Sequence, residues 1–399
     1  MAKVVFIVTV GSEVNLFYPI YQSLREKGVG VKIISTNRLC CDKDAQLPEG
    51  ELNKLNMVYS EFSSYKTKSA YQIIKHEKPG LLIIGSDQEY IRRAFIYASK
   101  HLKIPTMLFQ VGISSNNANI VSQATKRSLY RIRHYLFNIL NKYTYVLRTV
   151  IDLKWGLFKI IRMILNDVKQ AVSYYDMRGT YGCDYIVVSG SWETKTLIER
   201  GVNLGNIYVT GNPLIKLNCS QNNVKHENGK KILLLTSAMV EHGLWTKAMR
   251  TEFTQKTVDV LSSLGELTIK IHPIENLADY QTNKAKVIKD IPLKEAVNLS
   301  DIVVVGNYST AILEVSLLRK PVILMNVFNE YKDLPYDEMG LAKSVYNYDE
   351  LKTEVGKLFN LEYREEVLNK AVRFFNENHE YIDGKATERI TNLILEAVN

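Results

Sequence analysis

Short apolar runs alternate with amphipathic stretches along the first half of the chain, and the runs lack a strict alternation of apolar and polar positions. Runs of this kind are typical of parallel strands that are buried on both faces. Strands that alternate with helices predict a doubly wound α/β sheet. The predicted strands are Val4–Val10, Val31–Ser35, Leu81–Ile84, Thr106–Gln110, Tyr185–Val188 and Ile207–Thr210. The predicted helices are Phe17–Lys27, Ala70–His76, Tyr90–His101 and Trp192–Arg200.

A second series of the same kind follows residues 218–231, a polar stretch that is predicted to be a linker. We therefore predict two Rossmann-like domains, residues 1–217 and 232–399, that face each other across a cleft. The last predicted helix, Lys385–Val398, is a candidate to pack back on the first domain. The predicted strands of the second domain are Ile232–Leu235, Leu267–Ile271, Val287–Ile288, Ile302–Val305 and Val322–Met325.

The bulk composition is that of a globular protein, with 46% hydrophobic and 23% charged residues among 399. The formal net charge of +9 favours an anionic partner, such as nucleic acid, an acidic membrane surface or a charged substrate. None of the four cysteines has the C-x-x-C spacing of a zinc site, so we expect a reduced, cytoplasmic setting and no metal or other cofactor. No uncharged run reaches the roughly 18 residues of a membrane-spanning helix, and the apolar N-terminus is predicted to be a core strand, not a signal peptide.

Two strand ends in the second domain carry the most informative polar residues. One predicted strand ends in His272-Pro273, and a later one runs through Gly306 into Asn307-Tyr308-Ser309-Thr310, which starts a helix that contains Glu314. In parallel α/β sheets, ligands bind at the carboxyl ends of strands. Free N–H groups and hydroxyls at the start of a helix bind phosphate. The sequence therefore predicts a nucleotide phosphate site at neighbouring strand ends.

Each of these residues also has a purely structural interpretation. His272 could be a satisfied histidine at a strand end, although an imidazole there can donate to a phosphate or stabilise its developing charge. Ser309 and Thr310 could cap the helix, and since capping uses the same geometry as phosphate binding, the two roles are compatible. His242-Gly243, after the first strand of the second domain, is either a ligand-facing loop or an ordinary surface loop.

Carboxylates also follow strand ends of the first domain. Glu13 belongs to Gly11-Ser12-Glu13, where the glycine lets backbone approach a ligand, and Asp87 and Glu89 follow another strand end. One of the three is the candidate general base on an acceptor hydroxyl, with Asp87 favoured by its Gly-Ser-Asp turn. The alternative is that each complements the dipole of the helix that it starts. Gly211-Asn212, after the last strand of this domain, is a further candidate on the acceptor side of the cleft.

Several short motifs resemble known families. The stretch from Gly85-Ser86-Asp87 through Lys103-Ile104-Pro105-Thr106 to Gln110-Val111-Gly112 resembles UDP-N-acetylglucosamine 2-epimerases and their glycosyltransferase relatives. His272-Pro273 with Ser309-Thr310 is similar to paired motifs of bacterial capsule and sialic-acid transferases and of CDP-glycerol glycerophosphotransferases. The resemblance implies the GT-B architecture, a nucleotide-activated donor in the second domain, and ribose hydroxyls held by Glu314.

One departure from the epimerase pattern argues against epimerase activity. The epimerases carry a glutamate that takes part in proton movement at the sugar, where this chain has Gln110, which cannot act as an acid or base. We therefore predict an inverting, metal-independent glycosyltransferase that uses a CMP-, CDP- or UDP-activated sugar to build a surface or lipid-linked glycan. The alternatives are a CDP-glycerol-type glycerophosphotransferase, a UDP-sugar 2-epimerase, and a catalytically silent protein that binds nucleotide sugars.

A basic segment, predicted to be an insertion of about residues 120–180, interrupts the first domain. Between Ala124 and Gln170, ten lysines and arginines stand against two aspartates. Helical periodicity predicts one apolar face, with Arg148, Lys159 and Arg162 opposite it, as in helices that bind the inner face of an anionic membrane. The alternative is a pair of surface helices packed on their own sheet; nucleic acid is not expected, because no recognised motif accompanies the charge. The predicted apolar face consists of Val146, Val150, Leu153, Leu157, Ile160, Ile161 and Ile164.

Overall fold

The computed structural model describes residues 3–36, 48–109, 142–173, 177–214, 230–241, 245–307, 309, 311–328, 336–378 and 381–398. The chain divides into two compact units, one formed by Met1–Leu214 together with Glu380–Asn399 and the other by Ile215–His379. The first unit is therefore discontinuous in sequence, and the second lies between its two parts along the chain. Residues 218–229 of the predicted linker lie outside the described residues.

Seven parallel strands form one sheet in the first unit. They are β1 (Lys3–Val8), β2 (Gly30–Ser35), β3 (Tyr59–Glu61), β4 (Leu81–Ile84), β5 (Thr106–Phe109), β6 (Tyr185–Val188) and β7 (Ile207–Val209). Their order in the sheet is β3-β2-β1-β4-β5-β6-β7, so the direction in which strands are added reverses between β1 and β4. The carboxyl ends of β1 and β4 are therefore adjacent, at the kind of position where open α/β sheets bind ligands.

Helices cover both faces of this sheet. In β1, Val5 and Ile7 join one apolar cluster and Val4 and Phe6 join the other, because successive side chains of a strand point to opposite faces. Two-sided burial explains why the strands are continuous apolar runs. The helices of the first part are α1 (Gly11–Glu26), α2 (Pro48–Lys54), α3 (Ala70–Glu77), α4 (Tyr90–His101), α5 (142–152), α6 (Leu157–Ser173) and α7 (Ser191–Glu199).

The second unit contains a six-stranded parallel sheet. Its strands are β8 (Lys231–Leu235), β9 (Glu266–Lys270), β10 (Lys286–Ile288), β11 (Ile302–Gly306), β12 (Val322–Met325) and β13 (Lys343–Val345), in the order β10-β9-β8-β11-β12-β13. The helices are α8 (Lys247–Ser262), α9 (Leu293–Asn298), α10 (Ala311–Leu317), α11 (Tyr348–Leu358) and α12 (Leu361–Asn378). Two parallel sheets covered by helices confirm the predicted α/β class.

The C-terminal helix, α13 (Ala386–Val398), belongs to the first unit. Its buried Ile390 and Ile394 lie in the same apolar cluster as Ile20 and Leu24 of α1. The last residues of the chain therefore complete the core that the first residues begin.

The two parts of the first unit also meet where the chain leaves and re-enters it. Gly211 has a left-handed φ of +83°, and a Cβ added to it would lie 2.6 Å from the carbonyl oxygen of Tyr381. Arg389 Nη1 donates to the carbonyl oxygen of Thr210 at 3.3 Å. Glycine at position 211 is thus required both by the backbone angle and by the close approach of the returning chain.

The basic segment differs from its prediction. Its helical pattern is broken after residue 152, where Lys154 adopts a left-handed φ of 55°, and a new helix begins at Leu157. The predicted single apolar face is therefore wrong, because Val146 and Val150 are buried whereas Leu157 is exposed. Residues 120–141 and 174–176 of the predicted insertion lie outside the described residues.

Candidate functional site

The predicted phosphate-site residues of the second unit follow β9 and β11 at the carboxyl edge of the sheet. His272 comes two residues after β9, and Asn307 directly follows β11. Contrary to the prediction, these strands are not neighbours, because β8 lies between them. Two strand spacings of about 4.8 Å place their backbones about 10 Å apart. Thr236, directly after β8, occupies the intervening strand end.

Hydrogen bonds fix the position of His272 at this edge. Its backbone N–H donates to Thr236 Oγ1 at 2.9 Å and to Glu275 Oε2 at 3.0 Å. The N–H of Ile274 donates to Nδ1 of the half-buried imidazole at 3.4 Å. In the neutral ring the proton therefore belongs on Nε2, so that Nε2–H can donate a hydrogen bond to a phosphate oxygen.

A buried carboxylate, Glu275, holds the ends of β8 and β9 together. Besides the N–H of His272, it accepts hydrogen bonds from the hydroxyls of Thr236 and Tyr280. Burial and the neighbouring Glu275 carboxylate raise the pKa of the Tyr280 hydroxyl, which keeps that hydroxyl protonated as a donor. Neither Glu275 nor Thr236 was predicted as a site residue, although Glu275 lies only three residues beyond His272.

Arg250 of α8 supplies the countercharge to this cluster. Its Nη1 lies 3.8 Å from Glu275 Oε1 and 2.7 Å from Glu241 Oε1, and its Nη2 pairs with Asp279. The guanidinium is almost completely buried, so its charge requires such partners. Glu241 directly precedes His242-Gly243, which lies outside the described residues.

The end of β11 is shaped by close packing. A Cβ added to Gly306 would lie 3.1 Å from the Phe253 ring, so a larger residue would push against α8. Asn307 follows with a left-handed φ of 80°, and its side-chain amide contacts Met239 Sδ at 3.6 Å. The segment after β8 therefore touches residues that follow both β9 and β11.

The start of α10 shows the predicted capping. Ser309 Oγ accepts the N–H of Ala311 at 3.2 Å, whereas Tyr308 and Thr310 lie outside the described residues. Glu314 is exposed, and partial desolvation raises the pKa of its carboxyl against the opposing charge of Lys294. An exposed carboxylate here is available to hydroxyl donors of a ligand, as the ribose-binding prediction requires.

Glu13 lies in the first unit between the carboxyl ends of β1 and β4. Its carboxylate pairs with the buried Arg92 at 2.7 Å and accepts the N–H of Thr9 at 2.9 Å. A side chain at Gly85 would collide with it, so that glycine provides its space. Gly11 is the first residue of α1, and the side chain of Ser12 lies outside the described residues.

Asp87, the favoured candidate base, is buried and bound by backbone groups. Its carboxylate accepts the N–H of Gly179 at 2.9 Å and the N–H of Tyr181 at 3.4 Å. These bonds join the loop after β4 to the segment before β6, which favours a structural role. Gly211 and Asn212 also serve local structure, since Asn212 Oδ1 accepts the N–H of Leu214 at 2.9 Å.

Glu89 differs from the other two carboxylates. Its Oε2 caps α4 by accepting the N–H groups of Ile91 and Arg92 at 3.0 and 3.3 Å. Its Oε1 is buried and has no hydrogen bond partner within the described residues. Buried polar atoms are nearly always paired, so this oxygen stands out among the carboxylate oxygens of the three candidate bases because none of the described groups donates to it.

The described residues lack two features that would indicate a metal site or a membrane span. Within the described ranges, no cluster of three or more His, Cys, Asp or Glu side chains is arranged to hold a metal ion. In the same part of the chain, none of the helices has the length and apolar character needed to cross a membrane.

Comparisons with solved structures place the fold. The chain is similar to the UDP-GlcNAc 2-epimerase of Methanocaldococcus jannaschii in complex with UDP-GlcNAc and UDP, with 15% identity, 99% coverage of both chains and a TM-score of 0.60. It is similar to CalG4, the calicheamicin glycosyltransferase, with 11% identity, coverage of 100% of this chain and 98% of that one, and a TM-score of 0.55. A variant of the wall teichoic acid polymerase TagF soaked with CDPG matches with 12% identity, coverage of 100% and 89%, and a TM-score of 0.55. These likenesses confirm the predicted GT-B fold.

A family comparison goes further than the fold. No curated protein sequence matches the chain. The sequence profile of the family described as "CDP-Glycerol:Poly(glycerophosphate) glycerophosphotransferase" matches residues 149–396, which is more than half of the chain. This match covers β8, β9 and β11, which carry the candidate phosphate site. The chain is therefore a transferase, as predicted, and belongs to the CDP-glycerol:poly(glycerophosphate) glycerophosphotransferase family.

Proposed function

We propose that this protein transfers a glycerophosphate-type group from a CDP-activated donor to a hydroxyl of a lipid-linked or growing surface polymer. The observation that carries the proposal is the placement of His272 at the carboxyl edge of the second sheet, with Nε2 as a donor, in a chain of this family. Transfer of a sugar, the first prediction from the sequence, is the second candidate, because the fold is shared with a glycosyltransferase.

The proposed reaction is a displacement at phosphorus. The acceptor hydroxyl attacks the phosphorus that bears the glycerol, a new P–O bond forms, and the bond from that phosphorus to the bridging oxygen breaks, which releases CMP. Nε2–H of His272 donates to the departing phosphate as its charge develops. In this mechanism the imidazole performs the stabilisation for which other transferases use a metal ion.

The proton of the acceptor hydroxyl requires a base. We assign this role to Glu89, because its Oε1 has no hydrogen bond partner among the described groups, whereas Asp87 and Glu13 are engaged by backbone or by Arg92. Glu89 lies at the first-unit edge that was predicted to receive the acceptor. Its second oxygen remains bound to the start of α4, which would hold the carboxylate in a fixed orientation.

A ligand screen followed by turnover tests the proposal. CDP or CMP should raise the melting temperature more than UDP, GDP or ADP, and a ligand at a hundred times its dissociation constant stabilises by about 2.7 kcal/mol. His272→Ala should lower transfer by about 10²-fold or more, as loss of a donor to a developing charge does. His76→Ala, at an exposed histidine of the first unit, is the matched control. Unchanged turnover by His272→Ala would contradict the assignment.

The same assay separates the remaining candidates. Release of CMP with an acceptor product from CDP-glycerol supports phosphotransfer, whereas product from a nucleotide sugar alone supports glycosyl transfer. Conversion of a UDP sugar without acceptor identifies a 2-epimerase. Nucleotide binding without turnover of any donor identifies a catalytically silent protein.

We also propose that α6 rests on an anionic membrane surface. Its inner side packs on the first unit through Ile160, Met163 and Ile164. Its outer side presents a second apolar stripe at helical spacing, in which Phe158 is 90% and Leu165 is 63% exposed. The whole exposed stripe consists of Leu157, Phe158, Ile161, Leu165 and Val168.

Basic residues accompany this stripe. Lys159 and Arg162 lie on the remaining side of α6, and the Lys159 ammonium lies 3.7 Å from the centre of the Trp155 ring. Arg148 of α5, predicted as the third membrane contact, lies 3.4 Å from Asp152, so its charge is partly compensated. An exposed apolar stripe beside basic residues is typical of helices that lie in an anionic membrane interface.

A further inference from the structure

A single buried carboxylate links the elements that surround His272. Glu275 is 1% exposed and receives three donors, from the hydroxyls of Thr236 and Tyr280 and the backbone N–H of His272. Its own backbone carbonyl accepts from Lys289 Nζ at 2.7 Å. Four separate segments of the second unit therefore converge on one residue that no reaction step uses.

We propose that Glu275 is a positioning residue, which sets the place of His272 at the phosphate site without touching the substrate. The proposal rests on the proposed function of His272. Through Thr236, Glu275 binds the end of β8, and through the His272 N–H it binds the end of β9. Because Glu275 holds the backbone N–H of His272, a shift of this hydrogen bond also moves the His272 imidazole.

The geometry favours a carboxylate at position 275. All three groups that point at it are donors, and an ionised carboxyl group offers acceptor sites only. Glutamine would keep the size but turn an NH₂ group toward at least one donor. The Arg250 guanidinium, 3.8 Å away, balances the buried negative charge.

The same guanidinium extends the arrangement to a second predicted donor loop. Arg250 Nη1 lies 2.7 Å from Glu241 Oε1, and Glu241 is the last described residue before His242-Gly243. The pair of Arg250 and Glu275 thus connects the segments after β8 and β9 at the carboxyl edge of the sheet. A positioning role at Glu275 fits this wider support.

The test compares Glu275→Gln with Glu354→Gln. Glu354 is a suitable control, because it is also a mostly buried carboxylate that accepts a tyrosine hydroxyl, from Tyr363 at 2.7 Å, and pairs with Lys357, but it lies on α11. Glu275→Gln should lower kcat by about 10²-fold, the effect of a small misplacement of a catalytic group, with little change in KM. Glu354→Gln should change neither quantity.

A second readout does not depend on activity. The His272 imidazole signal, identified by its loss in His272→Ala, should show a shifted titration curve in Glu275→Gln and an unchanged one in Glu354→Gln. Wild-type kcat and an unchanged His272 titration in folded Glu275→Gln overturn the proposal. If the wild-type protein transfers nothing, the proposed function fails, while the titration still decides whether Glu275 positions His272.

Two milder variants keep the proposal testable if Glu275→Gln does not fold. Should Glu275→Gln not fold, Tyr280→Phe and Thr236→Val each remove one donor to the same carboxylate. Both should shift the His272 titration and lower kcat, and the absence of either effect in both variants contradicts the proposal.

Discussion

Single carboxylates in the first unit differ in the groups that hold them, and this difference underlies the proposed choice of the catalytic base. The Asp87 carboxylate accepts hydrogen bonds from the backbone N–H groups of Gly179 and Tyr181, and the Glu13 carboxylate forms an ion pair with Arg92. These partners come from segments far away in sequence, so a Gly-Ser-Asp turn gives no sign of them. The sequence could identify the strand ends that carry acidic residues, but not the one buried oxygen of Glu89 that has no partner among the described groups.

Substitutions at Asp87 and Glu89 should therefore separate stability from catalysis. Asp87→Asn turns an amide group toward backbone N–H donors, so we expect a loss of about 1–3 kcal/mol in the free energy of unfolding, measured by urea denaturation. Glu89→Gln should instead lower transfer by about 10²–10⁴-fold, the usual range for a general base, with donor affinity unchanged. A stably folded Asp87→Asn that loses transfer by this factor would return the base to Asp87.

Glu193, the third residue of α7, is a further buried carboxyl group, and neither of its oxygens has a hydrogen bond partner in the described part of the chain. Burial raises its pKa to about 7; the backbone N–H groups of Glu193 and Gly190 oppose the shift, although neither completes a hydrogen bond to the carboxylate. Between its usual pKa and the raised one, the folded protein keeps a proton that the unfolded chain releases. The free energy of unfolding therefore falls as pH rises through this window.

Glu193→Gln should remove this pH dependence. Since glutamine stays neutral, the variant should gain stability relative to the wild type between pH 5 and pH 8, by about 3 kcal/mol at most, in urea denaturation at both pH values. Glu354→Gln is the control. Burial raises the pKa of the Glu354 carboxyl, but hydrogen bonds from Lys357 and Tyr363 outweigh this effect and lower the pKa. The stability that this carboxylate contributes is therefore present at both pH values. An equal stability difference for Glu193→Gln at pH 5 and pH 8 would refute the raised pKa.

Elements were predictable where their signal is local. Most strands of both sheets follow from apolar runs, but β3 and β13 were not predicted, because these short strands carry few apolar residues. The helix α4 begins at Tyr90 as predicted, whereas α1 begins at Gly11 and not at Phe17. The break between α5 and α6 was missed, because apolar residues keep a helical spacing across Lys154 although its backbone turns left-handed. The cluster around Glu275 could not be predicted either, since Thr236, Arg250 and Tyr280 come together only in the folded unit.

The exposed stripe of α6 leads to a membrane-binding prediction. The protein should sediment with phosphatidylglycerol vesicles, and salt should weaken this binding, since each cation near an anionic surface contributes about 1 kcal/mol that ions screen. Leu165→Glu should abolish sedimentation. Leu361→Glu, at an equally exposed leucine of α12, should leave it intact; the two side chains are 63% and 62% exposed. Equal binding to neutral and anionic vesicles, or equal loss in both variants, would contradict the proposal.

At the scale of the whole molecule, the first unit consists of two separate parts of the chain. The contact of Gly211 with Tyr381 places the point of exit close to the point of return. Among the described residues, the apolar cluster that joins α1 and α13 consists of residues of the first unit. The first unit therefore has its own apolar core, and the residues at which the chain leaves and re-enters this unit lie close together.

Replacing residues 215–379 by a short Gly/Ser linker should leave a folded first unit. We expect a cooperative urea transition and a helical circular dichroism spectrum from this shortened chain, without binding of CMP or CDP. A variant that also lacks residues 386–399 should not fold, because Ile390 and Ile394 then no longer cover α1. Failure of the shortened chain to unfold cooperatively would show that the first unit depends on the second.

The return of α13 also fixes an order of events during biosynthesis. The ribosome releases the second unit in full before it releases Ile390 and Ile394, so the second unit can fold while Ile20 and Leu24 still lack their cover. At about 5–20 residues per second, the interval between the synthesis of Leu24 and that of Ile390 lasts on the order of tens of seconds. The nascent chain thus carries an exposed apolar surface until Ile390 and Ile394 emerge, and it is at this stage that a chaperone would find its binding site.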